Sequence, residues 1–283
     1  MKKGIAMADI PTLELLDGGR IPAMGLGTSK HKGVEGAALF ARAIEDGYRL
    51  IDTAAQYGNE LSVGQGVKDS RVEREQLFIT TKIAGGDQGT GATTHGLEGS
   101  LRRLCVDYVD LTLIHWPNPS RGLYLQTWEE LIKLRERGLT KHIGVSNFLP
   151  HQIEELEAQT GVLPVLNQIQ LSPIIARKDL RSFHASKAIV TEAWRPLGPV
   201  ENLLGQVLVE NIASEVGKSP AQVVLRWAVQ SGILPIPVSS KPQRNAENLQ
   251  VFDFELSDDH MRALDLLDTS DRFVWDPMSH EEW

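Results

Sequence analysis

Eight short apolar runs, most followed by a segment of helical spacing, constrain this chain more than any other feature. They read IPAMGLGT, YRLIDT, LFITTK, YVDLTLIHW, KHIGVSN, PVLNQIQL, AIVTEAW and GILPIPVSS. Between them, VEGAALFARAIEDG repeats apolar residues at three and four and closes on Gly47. TTHGLEGSLRRLCVDY does the same with Leu97, Leu101 and Leu104. WEELIKLRERG presents Trp128, Leu131, Ile132 and Leu134, then Arg135 and Arg137 before Gly138, where basic residues suit the negative end of a helix. SPAQVVLRWAVQSG opens on Ser219-Pro220, an N-cap and first helical position. A repeat of this kind folds as an open doubly wound sheet or as a closed (β/α)8 TIM barrel. The length of 283 residues favours the barrel, which takes roughly 250 residues. The first run also lacks the GxGxxG turn that an open dinucleotide-binding sheet normally carries. Ahead of it, TLELLDGGRIPAM sets Asp17-Gly18 between two apolar runs, the signal of a β-hairpin, expected here to cap the barrel bottom. No linker or low-complexity tract divides the chain, so residues 1–283 are expected to form one domain, with 1–10 a flexible extension and Met7 a candidate start.

Composition excludes several classes. With 41% hydrophobic and 23% charged residues the chain is of ordinary globular type. A net charge of −8, from 29 basic and 37 acidic residues, argues against nucleic-acid or anionic-membrane partners drawn by bulk charge. No apolar stretch is long enough for a transmembrane helix or a signal-peptide core. The one cysteine, Cys105, excludes an internal disulfide and a thiolate metal cluster and fits a reducing, cytoplasmic setting; its expected role is that of a small apolar filler on a helix. The eight histidines show no HxH or HxxxH spacing, so no metal site is expected, and most are expected at the surface.

In a barrel, polar residues at the C-terminal ends of strands converge on one mouth. Run two ends in Asp52, with Tyr57 in the turn beyond; run three ends in Lys82, run four in His115-Trp116, run five in Ser146-Asn147. Run six carries Asn167 and Gln168, and run seven ends in Trp194. Each alone has a dull explanation as a solvated or core residue. Asp52, Lys82 and His115, each one step beyond a buried run on successive strands, do not fit that explanation together. A phenol of pKa near 10 is a poor donor at neutral pH. A neighbouring ammonium is expected to lower that pKa toward the working range, with Asp52 holding Lys82 charged and in place. His115 is placed to hydrogen-bond a carbonyl oxygen. Such a set suits giving a proton to an oxygen that gains charge as hydride reaches its carbon, and no side chain stores hydride, so a nicotinamide is called for.

These strings resemble the aldo-keto reductase family over essentially the whole chain: GYRLIDTAAQYGNE, LIHWPNP and IGVSNF resemble its signatures on strands two, four and five. The resemblance implies Tyr57 as general acid in a tetrad with Asp52, Lys82 and His115. It implies that Ser146, Asn147 and Gln168 hold the nicotinamide carboxamide and that Trp194, where most members have Tyr, stacks on the ring. Gly27 and Thr28 are placed beside the cofactor, and Arg195, Pro196 and Leu197 of EAWRPLG continue along it. Several details, IHWPNPS, Trp before PLG, VVLRW and the short tail WDPMSHEEW, are similar to the bacterial 2,5-diketo-D-gluconic acid reductases within that family.

Three departures from the family pattern shape the expectations. IPVSSKPQRNAENL, implied to hold the adenosine 2′-phosphate, has Val238 where most members have Lys, although Ser239, Arg244, Glu247 and Asn248 match. Lys241 is displaced by three positions. The cofactor expected is therefore NADPH, with NADH use also open. Ser29 replaces an aromatic residue usual at the mouth, so Trp116 and Trp275 are the candidate substitutes for that wall. Arg195 stands where small residues are usual, facing a substrate carboxylate, the cofactor pyrophosphate or a surface partner. The expected substrates are small carbonyls: aldehydes, α-dicarbonyls and keto-sugar acids. The rival reading is a weakly catalytic nicotinamide-binding redox sensor, against which all four tetrad positions are filled. Family resemblance implies a monomer.

Overall fold

The computed structural model describes residues 10–198, 202–269 and 275–282. The expected extension over residues 1–10 lies outside the described residues except for Ile10, which packs against the core. The chain opens on a hairpin of β1 (Thr12–Glu14) and β2 (Arg20–Pro22), paired antiparallel with Leu13 opposite Ile21. Its turn is the one the sequence predicts: Gly18 takes a φ of +85°, and the Gly19 amide donates to Asp17 Oδ1 at 3.2 Å. Leu15 and Ile21 pack with Leu50, Phe78, Leu111 and Leu166, so the hairpin plugs the end where the strands begin.

Eight parallel strands follow, in the spatial order of the sequence. They are β3 (Gly25–Gly27), β4 (Leu50–Asp52), β5 (Phe78–Ile83), β6 (Val109–Ile114), β7 (Thr140–Ser146), β8 (Leu166–Gln170), β9 (Val190–Trp194) and β10 (Leu234–Pro235). The last edge meets the first where the Gly27 amide donates to the Pro237 carbonyl at 3.0 Å, which closes the (β/α)8 barrel. The helices on its outside are α1 (Gly33–Glu45), α2 (Glu60–Asp69), α3 (Ala92–Leu104), α4 (Tyr124–Glu136), α5 (Pro150–Thr160), α6 (Lys178–Ser186), α7 (Val207–Val216), α8 (Pro220–Gln230), α9 (Pro242–Asn248) and α10 (Asp258–Asp265).

Each expected helix forms. Ser219 caps α8 as predicted: its hydroxyl accepts from the Gln222 amide, while the Gln222 side chain accepts from the Ser219 amide at 3.0 Å, a reciprocal capping box. The apolar faces of α1 (Phe40, Ile44), α4 (Trp128, Leu131, Leu134) and α5 (Ile153, Leu156) pack against the outer faces of the strands in one continuous core. One expectation fails. Cys105 is not an apolar filler; it is exposed at the C-cap of α3 with a φ of +56°. Among the histidines, His184 is fully buried, between Asn167 Nδ2 and Thr191 Oγ1, both at 2.9 Å. Burial drives its pKa down to about 4, so it serves as a neutral polar spacer.

Candidate active site

At the C-terminal end of the barrel a cavity of about 380 Å³ opens between the strand ends. Asp52 finishes β4, and the chain then makes a single 3-10 turn, Ala55–Tyr57, which Gly58 ends with a φ of +60°. Asn59 fixes this turn in place. Its amide donates to the Thr28 and His31 carbonyls at 2.7 and 3.0 Å and its oxygen accepts from Thr53 Oγ1, tying the turn to the loop after β3. Tyr57 is thereby swung over the barrel axis toward Lys82 of β5. The fully buried Lys82 ammonium donates to Asp52 Oδ1 at 2.6 Å and to the Thr53 carbonyl at 2.9 Å, and lies 3.3 Å from the Tyr57 hydroxyl. His115, one residue past β6, meets the Tyr57 ring edge-on with centroids 5.6 Å apart. The four tetrad positions inferred from sequence converge.

The electrostatics depart from expectation at one point. Desolvation raises the Tyr57 pKa, and Lys82, although it pulls the other way, does not overcome it; Asp52 adds to the rise. The phenol is therefore not brought into the neutral range, as the sequence argument expects, but stays fully protonated there. Burial alone lowers the Lys82 pKa, but the opposing pull of Asp52, with Tyr57 and Glu192 adding, leaves it raised, so the ammonium is retained. Burial lowers the His115 pKa against the opposing pull of Glu282, which leaves a neutral imidazole.

One wall of the cavity is amide-rich. Asn147, left-handed at φ +63°, donates to the His115 carbonyl at 3.1 Å and to Ser146 Oγ at 2.9 Å, and its oxygen accepts from the Trp194 indole at 2.9 Å. The Ser146 hydroxyl donates to the Gln168 carbonyl at 2.9 Å. Both side-chain N–H groups of Gln168 are engaged, one on Asp52 Oδ2 and one on Glu192 Oε2, each at 2.8 Å, which leaves the side-chain oxygen Oε1, distinct from the backbone carbonyl that Ser146 uses, as its remaining polar atom. Gly27, Thr28, Arg195, Pro196 and Leu197 extend this wall together with Pro237 and Val238. The opposite wall is aromatic. Trp116 and Trp275 stack 6.3 Å apart, and Trp194 meets Trp275 edge-on at 5.8 Å. Ser29 lies exposed at the rim. Trp116 and Trp275, the candidate substitutes for an aromatic residue at position 29, both line the cavity with Ser29.

Ser239, Lys241, Arg244, Glu247 and Asn248 do not line the cavity. They form a second group along α9 and the residues just before it, where Ser239 Oγ accepts from the Lys241 amide at 3.1 Å, Lys241 and Arg244 are exposed, and Glu247 and Asn248 end the helix. Val238 joins the two groups.

Sequence reasoning missed two carboxylates. Glu192 lies inside the apolar run AIVTEAW; it is fully buried beneath Gln168, and desolvation, then the charge of Asp52, raise its pKa to about 8. The signal was a charged residue on the same face as Trp194, two positions on. Glu282, at the end of the chain, places Oε1 at 2.9 Å from His115 Nδ1, out of line with the ring N–H. No local pattern announces it. Among the described residues no group of His, Cys, Asp and Glu is arranged to hold a metal ion, and no helix is long and apolar enough to cross a membrane.

Comparison with known proteins agrees with this geometry. The sequence profile of the Aldo/keto reductase family matches residues 23–269. A 2,5-diketo-D-gluconic acid reductase B of Corynebacterium sp. is 45% identical, with 98% of this chain and 100% of the relative covered. An aldo-keto reductase of Mycolicibacterium vanbaalenii is 46% identical over 96% of this chain and 98% of its own. Among solved structures, an aldo/keto reductase from Brucella melitensis superposes with a TM-score of 0.89 at 44% identity, covering 92% of this chain and 100% of that one. A mutant of Gox0644 in complex with NADPH superposes at 0.91 and 40% identity, covering 95% and 98%. A closed barrel, a buried Lys–Asp pair beside a phenol and a match over nearly the full length agree: the chain belongs to the aldo/keto reductase family.

Proposed function

We propose that the protein is an NADPH-dependent reductase of small aldehyde and ketone carbonyls, with Tyr57 as the general acid. The observation that carries this reading is the run of contacts in which Lys82 Nζ stands 2.6 Å from Asp52 and 3.3 Å from the Tyr57 hydroxyl, at the base of an open cavity. The fit to a nicotinamide rests on Gln168. With both of its N–H groups spent inside the barrel, it offers an acceptor to the amide of a carboxamide, beside Ser146 and Asn147. Trp194 supplies a ring face, and the basic group Lys241 and Arg244 supports a 2′-phosphate, Arg being suited to grip it bidentately. A Lys at position 238 would add a charge-assisted bond worth roughly 1.5–3 kcal/mol; Val238 leaves it out, which favours NADH use alongside NADPH. When bound, the dihydronicotinamide supplies the hydride.

The chain's own residues handle the proton. Tyr57 keeps its proton at neutral pH until an alkoxide, a far stronger base than a phenolate, develops beside it. The proton then passes from the phenol, and Lys82 stabilises the phenolate left behind. His115, neutral and packed against Tyr57, steers the carbonyl oxygen toward the hydroxyl. The test is NADPH oxidation with a panel of carbonyls including methylglyoxal, repeated with NADH, on the wild type and Tyr57→Phe. The expected result is turnover in the wild type and a loss of at least about a hundredfold in the variant, in line with the contribution of a general acid. Cofactor affinity should be unchanged, since the phenyl ring stays. A variant that keeps full turnover would remove Tyr57 from the role.

A further inference from the structure

From the docked tail we infer that Glu282 is a specificity-determining residue: its carboxylate, held in the mouth of the catalytic cavity, turns away carboxylate-bearing carbonyls and leaves the site to neutral ones. The inference rests on the reductase reading and names its substrate class.

The charge is built in rather than merely nearby. The Glu282 amide donates to Asn118 Oδ1 at 3.0 Å and its carbonyl accepts from Asn118 Nδ2 at 2.9 Å, a two-point clamp by one fully buried side chain. Next to it, the Ser120 amide donates to Glu281 Oε1 at 3.1 Å. Gly85 leaves the space in which this backbone sits, since a Cβ there would come within 1.8 Å of the Glu282 carbonyl oxygen. With the backbone gripped on both sides, rotation of the side chain moves the carboxylate within the mouth without taking it out. Its present position is 2.9 Å from His115 Nδ1, and its side chain is only 10% exposed.

The other charges of the cavity do not cancel it for a substrate. Asp52 and Lys82 neutralise each other below the floor at 2.6 Å. Lys30 and Arg195 are exposed at the rim, where solvent and salt screen them, and Arg195 is drawn over the Trp275 ring at 4.9 Å. An incoming carboxylate close to the carbonyl therefore meets a like charge in a poorly screened space, and such juxtapositions discriminate strongly against the wrong partner.

The test compares pyruvate with its methyl ester, two ketones that differ in charge, in the wild type, Glu282→Gln and Glu282→Asp with NADPH. The readout is the ratio of the two kcat/KM values, which a loosened tail alone would leave unmoved because both substrates would suffer alike. Glu282→Gln is expected to raise pyruvate relative to the ester by about tenfold or more, with Glu282→Asp keeping the wild-type ratio. A ratio within twofold of wild type in Glu282→Gln would overturn the inference while leaving the reductase reading intact. Absence of turnover with every carbonyl would overturn the reductase reading. The charge effect is then read from tryptophan fluorescence titrations of benzamide and benzoate on the NADPH-mixed protein. Wild type should hold benzamide at least about tenfold more tightly, Glu282→Gln should narrow the gap, and equal affinities in wild type would overturn the inference.

Discussion

Glu192 places a second carboxyl in the barrel interior, hydrogen-bonded through the Gln168 amide to Asp52, and this gives the fold a distinct pH response. A glutamate in an unfolded chain titrates near pH 4.3, whereas desolvation and the charge of Asp52 raise this one to about 8. Below the unfolded value both states hold the proton and its contribution is fully present. As pH rises from there through about 8 the unfolded chain releases the proton and the fold retains it, so stability falls over that window. Glu192→Gln keeps the shape and the polar contacts but cannot titrate. Its Tm should decline less than the wild type's between pH 5 and 8, by at least about 2 °C for a chain of this class; parallel declines would show that Glu192 does not titrate there. At this scale the sequence was readable where a polar residue ends an apolar run, as Asp52, Lys82 and His115 do, because a barrel sends strand ends to one mouth. Glu192 escaped because it lies within a run, where alternation between inner and outer faces had to be read residue by residue. The phenol's acidity escaped as well. A sequence supplies the neighbouring ammonium but not the degree of desolvation that opposes it.

Among the elements, legibility depended on whether packing agreed with local pattern. Helix α8 carries its own cap and apolar stripe and was plain. Helix α2, ELSVGQGVKD, was not, since two glycines dilute its helical signal. Both answer to tertiary contact. A Cβ on Gly64 would stand 2.4 Å from the Leu104 carbonyl oxygen, and one on Gly66 would stand 2.7 Å from Phe40 Cβ, so the glycines let α2 lie close against α1 and the end of α3. The tail is the extreme case, since it has no regular structure and owes its place to Asn118 in the loop after β6. Asn118 sits at a φ of +44°, which glycine adopts without cost, so Asn118→Gly deletes the clamp and spares the backbone. The variant removes two of the tail's hydrogen bonds, at about 1 kcal/mol each, and leaves those of Glu281 to the Ser120 amide and of the Trp275 amide to Gln170. Limited proteolysis should therefore cut within residues 275–282 about ten times faster in this variant, with the barrel otherwise intact. Unchanged cleavage would mean that the aromatic contacts of Trp275 and His280 with Trp116 suffice.

For the molecule as a whole, the ring of strands is uneven, and its weakest seam coincides with the site. Strands β5 to β7 pair through long registers, from Thr80 opposite Leu111 to Ile114 opposite Val145. Strand β10 pairs with β9 through Leu234 and Pro235, extended by the Ile236 amide on the Ala193 carbonyl at 3.1 Å, and its junction with β3 runs through the Gly27 amide on the Pro237 carbonyl at 3.0 Å. That approach is possible because β3 carries glycines: a Cβ on Gly27 would come within 2.9 Å of the Ile236 carbonyl oxygen, and one on Gly25 within 2.7 Å of Leu50. Few backbone bonds cross the seam, so it should open locally at lower free energy than the barrel unfolds. Native-state hydrogen exchange is expected to show the Gly27 and Ile236 amides less protected than those of Leu111 to Ile114. The cavity wall formed by Gly27, Ile236, Pro237 and Val238 straddles the same seam. A dinucleotide bound there stabilises the closed ring by mass action, adding about 2.7 kcal/mol of protection at a hundred times its dissociation constant. NADPH should therefore slow exchange at Gly27 and Ile236 before it affects the β6 amides, which are expected to exchange only through global unfolding. Equal protection around the ring in the free protein, or an NADPH effect spread evenly over all strands, would show that the barrel opens only as one unit and that the seam has no separate part in admitting the cofactor.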